Sequence, residues 1–395
     1  MPVEVGIGTS TEREPLHAVK EAVEQARKTI GGNINLAIVF SSIDLSYQGL
    51  PLAISNILGP VAIVGCSSLA VISGQGIFKH GLAIMLLGFS DGDYAKTACV
   101  KDVRQKGSLA AGEELAEQLL AQLSGAPRNL SLIFSDGLIE SGSELITGLQ
   151  EKLGSSFPLV GASASDNLSF KNTYLYFQRD MYSDAVCGII WGQKLTFGLG
   201  VHHGWEPLGK PRYITKSHGN IVAEIDGQPA VKIYEDYFAK KSAKLKKELK
   251  RISILYPIGI YLPGEEEYLL RNIFAIEDDG SIIFQGNVSE GSQIRLMIGT
   301  KESCLEATQR ALDEAKKQIM GHRPRFALVF DSASRFMLLG RRAVRELEII
   351  KAGLNQDTPI IGLYTYGEQA PLRALNYLGK TYFHNQTITI LVIGD

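Results

Sequence analysis

The polarity of this chain repeats one phrase three times: a short apolar run ending in small polar residues, an amphipathic segment, then a second apolar run. Leu36–Ser42 (LAIVFSS) leads to 60–68 (PVAIVGCSS), and 130–136 (LSLIFSD) leads to 158–165 (PLVGASAS). The third copy pairs 326–332 (FALVFDS) with 358–368 (TPIIGLYTYGE). Each is followed by a further apolar run that stops at Gly, at 82–88, 185–192 and 388–394. These runs are continuously apolar rather than alternating, which predicts strands covered on both faces. Units this small cannot bury their own sheets, so they must pack on one another.

The remaining elements follow from spacing and punctuation. Residues 2–8 alternate in polarity and predict a strand; Thr11, Glu14 and Pro15 open a helix whose stripe is Val19, Val23, Ala26 and Ile30. Helices are expected at 46–58, 112–123 and 143–153, and an antiparallel meander from 174 to 200 that turns at 180–184. The phrase breaks off over 201–299. That region predicts an extended stretch to Asp226-Gly227, a helical segment at 234–251, and strands at 267–276, 281–285 and 293–298. The Gly65 to Gly161 interval is about half the Gly161 to Gly362 interval, so about one unit's length has been inserted there. Ser303 and Glu306 then box the start of a helix with stripe Leu305, Leu312, Ala315 and Ile319. The expected class is α/β: three helix-strand-helix-strand units with antiparallel returns and mixed sheets, in two domains. Residues 1–226 hold two units; 227–395 hold the inserted strands and the third.

Composition narrows the function classes. At 395 residues with 45% apolar and 21% charged residues, the chain is an ordinary folded protein long enough for two domains. Forty basic against 42 acidic residues give a net charge of −2, which offers nucleic acid no electrostatic attraction. The basic stretch 240–251 (KKSAKLKKELKR) interleaves Leu245 and Leu249 and predicts a solvated helix face. Cys66, Cys99, Cys187 and Cys304 are scattered, without zinc-ligand spacing or a disulfide framework, so a cytoplasmic location is expected. The N-terminus lacks a signal-peptide pattern, and no apolar run reaches the ~18 residues of a spanning helix.

Several enzyme signatures fail on inspection. Gly204 to Lys210 has phosphate-loop spacing, but Pro211 stands where Ser or Thr must hold magnesium. Gly198-Leu199-Gly200 and Gly74-Gln75-Gly76 lack the third Gly of a dinucleotide fingerprint. Gly161 to Ser165 imitates a nucleophile elbow except at its last position, where Gly is required. The units place Ser67, Ser163 and Tyr364 at the matching position, so no nucleophile is shared. His202 and His203, adjacent in an extended segment, point to opposite faces and cannot easily share a metal.

The candidate chemistry lies where strands end, since ligands of open α/β sheets bind beyond their carboxyl ends. Small hydroxyls at Ser67 and Ser163, with Asp331, Arg335, Tyr364, Tyr366 and Glu368, suggest a pocket for a small zwitterion. Arg335 would clamp a carboxylate, Glu368 would receive an ammonium, and Arg271 is a second anion contact. The competing reading makes the serines helix caps. The expected activity is non-enzymatic binding of a small molecule; a Ser- or Cys-dependent hydrolase or transferase is the alternative.

At these residues the chain resembles the FIST-domain sensory proteins, a bacterial and archaeal family with N-terminal and C-terminal halves. The first half is matched by 36–41 with 60–68, and by Gly204-Trp205 through Gly209 to Asp226-Gly227. The second is matched by 268–272, 326–335, 359–371 (PIIGLYTYGEQAP) and Asn385-Gln386-Thr387. The resemblance implies a module that senses amino acid-like molecules and feeds a histidine kinase, cyclase or chemotaxis-type output. Some relatives bind haem and respond to nitric oxide, so a haem sensor is a further alternative and the cofactor is left unnamed. The family often has Cys after the third-unit strand, whereas 331–335 (DSASR) has none. With Asp395 closing the sequence after Gly394, signalling is expected to pass to a separate partner.

Overall fold

The computed structural model describes residues 3–46, 48–89, 95–123, 125–139, 141–192, 195–372 and 379–395. Three six-stranded sheets share one strand order. The first runs Glu4–Ser10, Leu82–Gly88, Leu36–Ser42, Ala62–Ser68, Leu175–Phe177, Asp180–Tyr182. The second runs Ala95–Lys101, Ala185–Trp191, Leu130–Ser135, Leu159–Ser163, Gly367–Pro371, Thr381–His384. The third runs Thr196–His202, Ile388–Gly394, Pro324–Ser332, Ile360–Thr365, Val71–Ser73, Gly76–Phe78. In each, the central pair is parallel and every other pairing is antiparallel.

The last two strands of every sheet are borrowed. The hairpin after the first parallel pair (71–78) completes the third sheet, and the one after the second pair (175–182) completes the first. Strands Gly367–Pro371 and Thr381–His384, which follow the third pair, complete the second. The meander expected over 174–200 is therefore divided. Its first two strands join the first sheet, Ala185–Trp191 stays with the second, and Thr196–His202 edges the third. Backbone pairing decides this, because each hairpin satisfies the amides and carbonyls along an otherwise open parallel strand.

The repeated Gly of the phrase has a close-approach role. Gly65, Gly161 and Gly362 stand in register with Val39, Ile133 and Val329 of the parallel neighbour. A Cβ there would fall 1.8, 2.0 and 2.2 Å from those residues' carbonyl oxygens, so no larger residue fits.

The repeated Phe has a different one. Phe40, Phe134 and Phe330 meet edge-to-face at the molecular centre, with ring centroids 5.6, 6.0 and 6.4 Å apart. Around them the inward faces of all three sheets form one core. The outward faces are covered by helix pairs: Pro15–Arg27 with Leu50–Leu58, Ser108–Leu123 with Gly142–Leu153, and Lys301–Gln318 with Ala343–Gly353. The helix Lys301–Gln318 starts earlier than expected; Thr300 is its cap and Ser303 its reciprocating third residue.

The inserted region forms a fourth, antiparallel sheet: Leu269–Arg271, Ile258–Ile260, Gln293–Gly299, Trp205–His218, Ile221–Ile225, Ile282–Phe284, Ile273–Ile276. Asp226 lies in the turn joining Ile221–Ile225 to its partner Gln228–Pro229, and strands are exchanged freely across that position.

Truncating one ring of the central trio should be felt by all three sheets. Phe134→Ala is expected to lower the unfolding free energy by about 3–5 kcal/mol, read as a lower denaturant midpoint.

Candidate functional site

Two adjoining cavities lie beyond the carboxyl ends of the second and third parallel pairs. The larger, about 520 Å³, is lined by Asp136, Gly137 and Ser163 on one side and by Asn220, Phe274, Phe284 and Gln285 of the inserted sheet on the other. Arg104 and Lys171 also line it. The smaller, about 300 Å³, is lined by Ser332, Ser334, Met337, Asn272 and Ile254. Phe170, Phe274, Gln285 and Tyr366 border both, forming a common wall.

That wall is positioned by a tight loop wound on Asp166, just after strand Leu159–Ser163. The Asp166 carboxylate accepts from the amides of Ser169 (2.9 Å), Phe170 (3.1 Å) and Lys171 (2.8 Å), from the Ser169 hydroxyl (2.7 Å), and from the Tyr366 hydroxyl. Burial alone would raise its pKa, but these donors outweigh it and hold the group at about 2. Leu168 and Phe170 take positive φ values of 67° and 52° to close the loop. Phe170 thereby stacks on Tyr366 at 4.4 Å, with Phe274 edge-on at 6.5 Å.

Of the residues expected to form the site, Ser163 and Tyr366 line these cavities. The others are consumed within the fold. Ser67 donates to the Ser165 carbonyl (2.9 Å) and accepts from the Tyr174 amide (3.0 Å), stitching two units together. Arg335 is fully buried. Its guanidinium donates to Asp331 (2.8 Å), Thr308 (2.8 Å), the carbonyls of His203 (2.5 Å) and Cys304 (3.0 Å), and Glu346. It cannot clamp a ligand carboxylate, because it is fully buried and its donors are already taken by these five partners. Burial and the neighbouring Glu346 push the Asp331 carboxyl well above its ordinary range.

Tyr364 packs against Phe336 at 4.4 Å, and its buried hydroxyl has no hydrogen-bond partner among the described residues. Glu368 accepts from the Thr387 amide (3.0 Å) and hydroxyl (2.7 Å) and is closed to an ammonium. Arg271 donates to the carbonyls of Asn287 (3.1 Å), Leu270 (2.8 Å) and Phe383 (3.0 Å). It braces the wall behind the larger cavity, and burial lowers its pKa to about 10.

The site residues not anticipated are Phe170, Phe274, Asn220, Gln285, Arg104 and Lys171. Phe274 had a partial signal, its place in the strand expected over 267–276; that its ring is 55% exposed there is visible only in the structure. The Phe170 position had none, because its geometry depends on Asp166 and on Tyr366 far along the chain. His202 is held between Glu267 and Glu314; burial disfavours its charge, but both carboxylates raise its pKa to about 9. Buried His203 accepts from the Trp205 amide (2.8 Å). Among the described residues, no cluster of His, Cys, Asp or Glu is arranged to hold a metal. Nor is any helix there long and apolar enough to cross a membrane.

The fold is a two-part α/β module with a cavity between the second sheet and the inserted one. The FIST N domain model matches residues 35–228 and the FIST C domain model matches 230–371; the chain belongs to the FIST family. FIST domains are sensory and bind small ligands. An uncharacterised protein of Methanocaldococcus jannaschii is 25% identical over 273 residues, covering 65% of this chain and 51% of that protein. The chain thus spans about half the length of that relative. An uncharacterised protein of Mycobacterium tuberculosis is 23% identical over 389 residues, covering 95% and 96% of the two chains. Among solved structures, PurLQS from Thermotoga maritima matches at 12% identity and TM-score 0.24, over 99% of this chain and 72% of that one, too distant to carry an argument.

Two buried acids make testable differences. Removing the counter-ion in Arg335→Ala strands Asp331 and Glu346, and should lower stability by about 3–5 kcal/mol in denaturant titrations. Burial raises Glu368 to about 8, with Thr387's hydrogen bonds opposing only in part. An unfolded Glu releases its proton near about 4.3, so between these values the fold keeps a proton that the unfolded chain has lost. Stability from this group is therefore complete at low pH and declines as pH rises to about 8. Glu368→Gln should abolish that decline, so its advantage over the parent protein grows with pH and levels above about 8.

Proposed function

We propose that this chain is a non-enzymatic sensor that takes a small amino acid-like or carboxylate-bearing molecule into the larger cavity. It signals through a separate protein such as a histidine kinase or cyclase. The observation that carries this reading is the cavity itself, about 520 Å³, within the range of small-molecule sites, and walled by both halves of the chain. Arg104 and Lys171 supply cations for a carboxylate. Ser163, Asn220 and Gln285 supply orienting hydrogen bonds, and the rings of Phe170, Phe274 and Phe383 supply the apolar surface. A ligand gripping both walls favours one packing of the inserted sheet on the second sheet, and that shift of population is the signal.

The chemistry of the hydroxyls and thiols supports binding over catalysis. Ser163 shares its hydroxyl with Ser135 at 2.9 Å, and neither an imidazole nor an amine activates it among the described residues. Burial pushes the Cys304 thiol to about 12 and raises Cys66 and Cys187 as well, against thiolate formation.

A thermal-shift screen of amino acids and small carboxylates should contain a compound that raises the melting temperature. Phe274→Ala, at an exposed position, and Lys171→Met should keep the fold and reduce that rise. A library without effect, or a rise unchanged in both variants, removes the cavity from consideration.

A further inference from the structure

Strand Ala95–Lys101 is the edge of the second sheet, and it pairs with Ala185–Trp191 so that Cys99 lies directly opposite Cys187. On the other side of Ala185–Trp191, the Asp136 amide donates to the Ala185 carbonyl at 3.0 Å. Ala185 and, by alternation, Cys187 therefore use their backbone groups toward strand Leu130–Ser135, where Cys187 faces Phe134. Toward the edge strand Cys187 consequently occupies a non-hydrogen-bonded position, where opposed Cα atoms come within about 4.5 Å and side chains are closest. That separation lies inside the window of about 4.4–6.8 Å that a disulfide spans. The two Sγ atoms are 2.9 Å apart, nearer than the ~3.5–4.0 Å at which carbon atoms pack. Both cysteines are free thiols; Cys187 is buried and Cys99 is half-buried on the edge strand.

We propose that Cys99 and Cys187 form a redox-sensitive dithiol, a modification site that a peroxide converts into a cross-strand disulfide. The inference is independent of what the cavity binds. Access directs the first step to Cys99, since burial and the adjacent Cys99 keep the Cys187 thiol protonated. The Cys99 sulfur attacks one peroxide oxygen, the O–O bond breaks, and a sulfenic acid and water result. The Cys187 sulfur then displaces the sulfenic hydroxyl, the S–S bond forms, and a second water leaves. Two thiols lose two electrons and two protons in all, and one hydrogen peroxide is reduced to two waters. A thiol reductant reverses the bond by exchange, as expected of a redox-sensing disulfide in a reducing compartment. Cys66 and Cys304, both fully buried, are the internal comparison.

The test is to treat the reduced, purified full chain with hydrogen peroxide, count free thiols after denaturation, and map linked peptides by mass spectrometry. The expected result is loss of two of the four thiols, a linked pair containing Cys99 and Cys187, and full recovery with dithiothreitol. Cys99→Ser and Cys187→Ser should each lose no thiol pair, with circular dichroism confirming their fold; the mapping on the parent protein stands whether or not they fold. Retention of all four thiols, a linkage to Cys66 or Cys304, or Cys99 accumulating as sulfinic acid would overturn the proposal.

Discussion

No sheet around the central phenylalanines is complete with the strands of its own phrase. Each parallel pair leaves one strand edge open, and that edge is filled by the hairpin leaving another pair. An open edge carries a row of unpaired amides and carbonyls, so the exchange is obligatory for all three partners at once. It also brings the segments leaving the three second strands into crossings, where the Ser165, Tyr364 and Tyr366 amides donate to the carbonyls of Ser67, Ala70 and Ser163. Small hydroxyls satisfy the backbone at those crossings: Ser68 bonds the Ala70 and Tyr364 carbonyls, Ser165 receives the Leu69 amide, and Ser67 bonds the Ser165 carbonyl. The serines at strand ends are there mainly for this reason, and a bulkier polar residue would separate the strands it joins.

The pattern of apolar runs was enough to locate the parallel pairs, the apolar returns at 82–88, 185–192 and 388–394 and the inserted region, because continuous burial on both faces leaves a local signature. Strands Ala95–Lys101, Gly367–Pro371 and Thr381–His384 carried no such signature and were not expected. The destination of each hairpin was not legible. A hairpin carries the same turn and the same alternation whether it returns to its own sheet or a neighbour's, as 175–182 illustrates. Tyr364 and Tyr366 show a second limit. Two residues apart, they would share a face if the strand continued, but strand Ile360–Thr365 ends between them. Tyr364 therefore turns onto Phe336 within the core, while Tyr366 reaches the cavity and Asp166.

Arg335 shows a third. Its place just past a strand end suggested a guanidinium free to clamp a ligand carboxylate, whereas Asp331 already holds it. The acid that completes the cluster, Glu346, comes from the next helix, and Thr308 comes from another. A buried Arg with two carboxylates and a hydroxyl is satisfied without a guest. Only the tertiary arrangement distinguishes an anchor from a clamp.

The three strand ends, equivalent in sequence, are closed in three different ways. In the first unit Ser41, Ser46 and the Tyr176 hydroxyl form a hydrogen-bonded trio. In the third, the Arg335 cluster fills the space behind Asp331. In the second, Ser135 and Asp136 meet only light partners: Ser135 bonds Ser163 and Gln369, and Asp136 accepts from Thr173 and two amides. The space beyond them is roofed by Asn220, Phe274 and Gln285 of the inserted sheet instead of being filled. A module built on near-equal units thus acquires its larger cavity by leaving one position underfilled and laying an extra sheet across it. Roof and floor belong to different sheets, so the shape of the hollow is set by how those two sheets pack on each other.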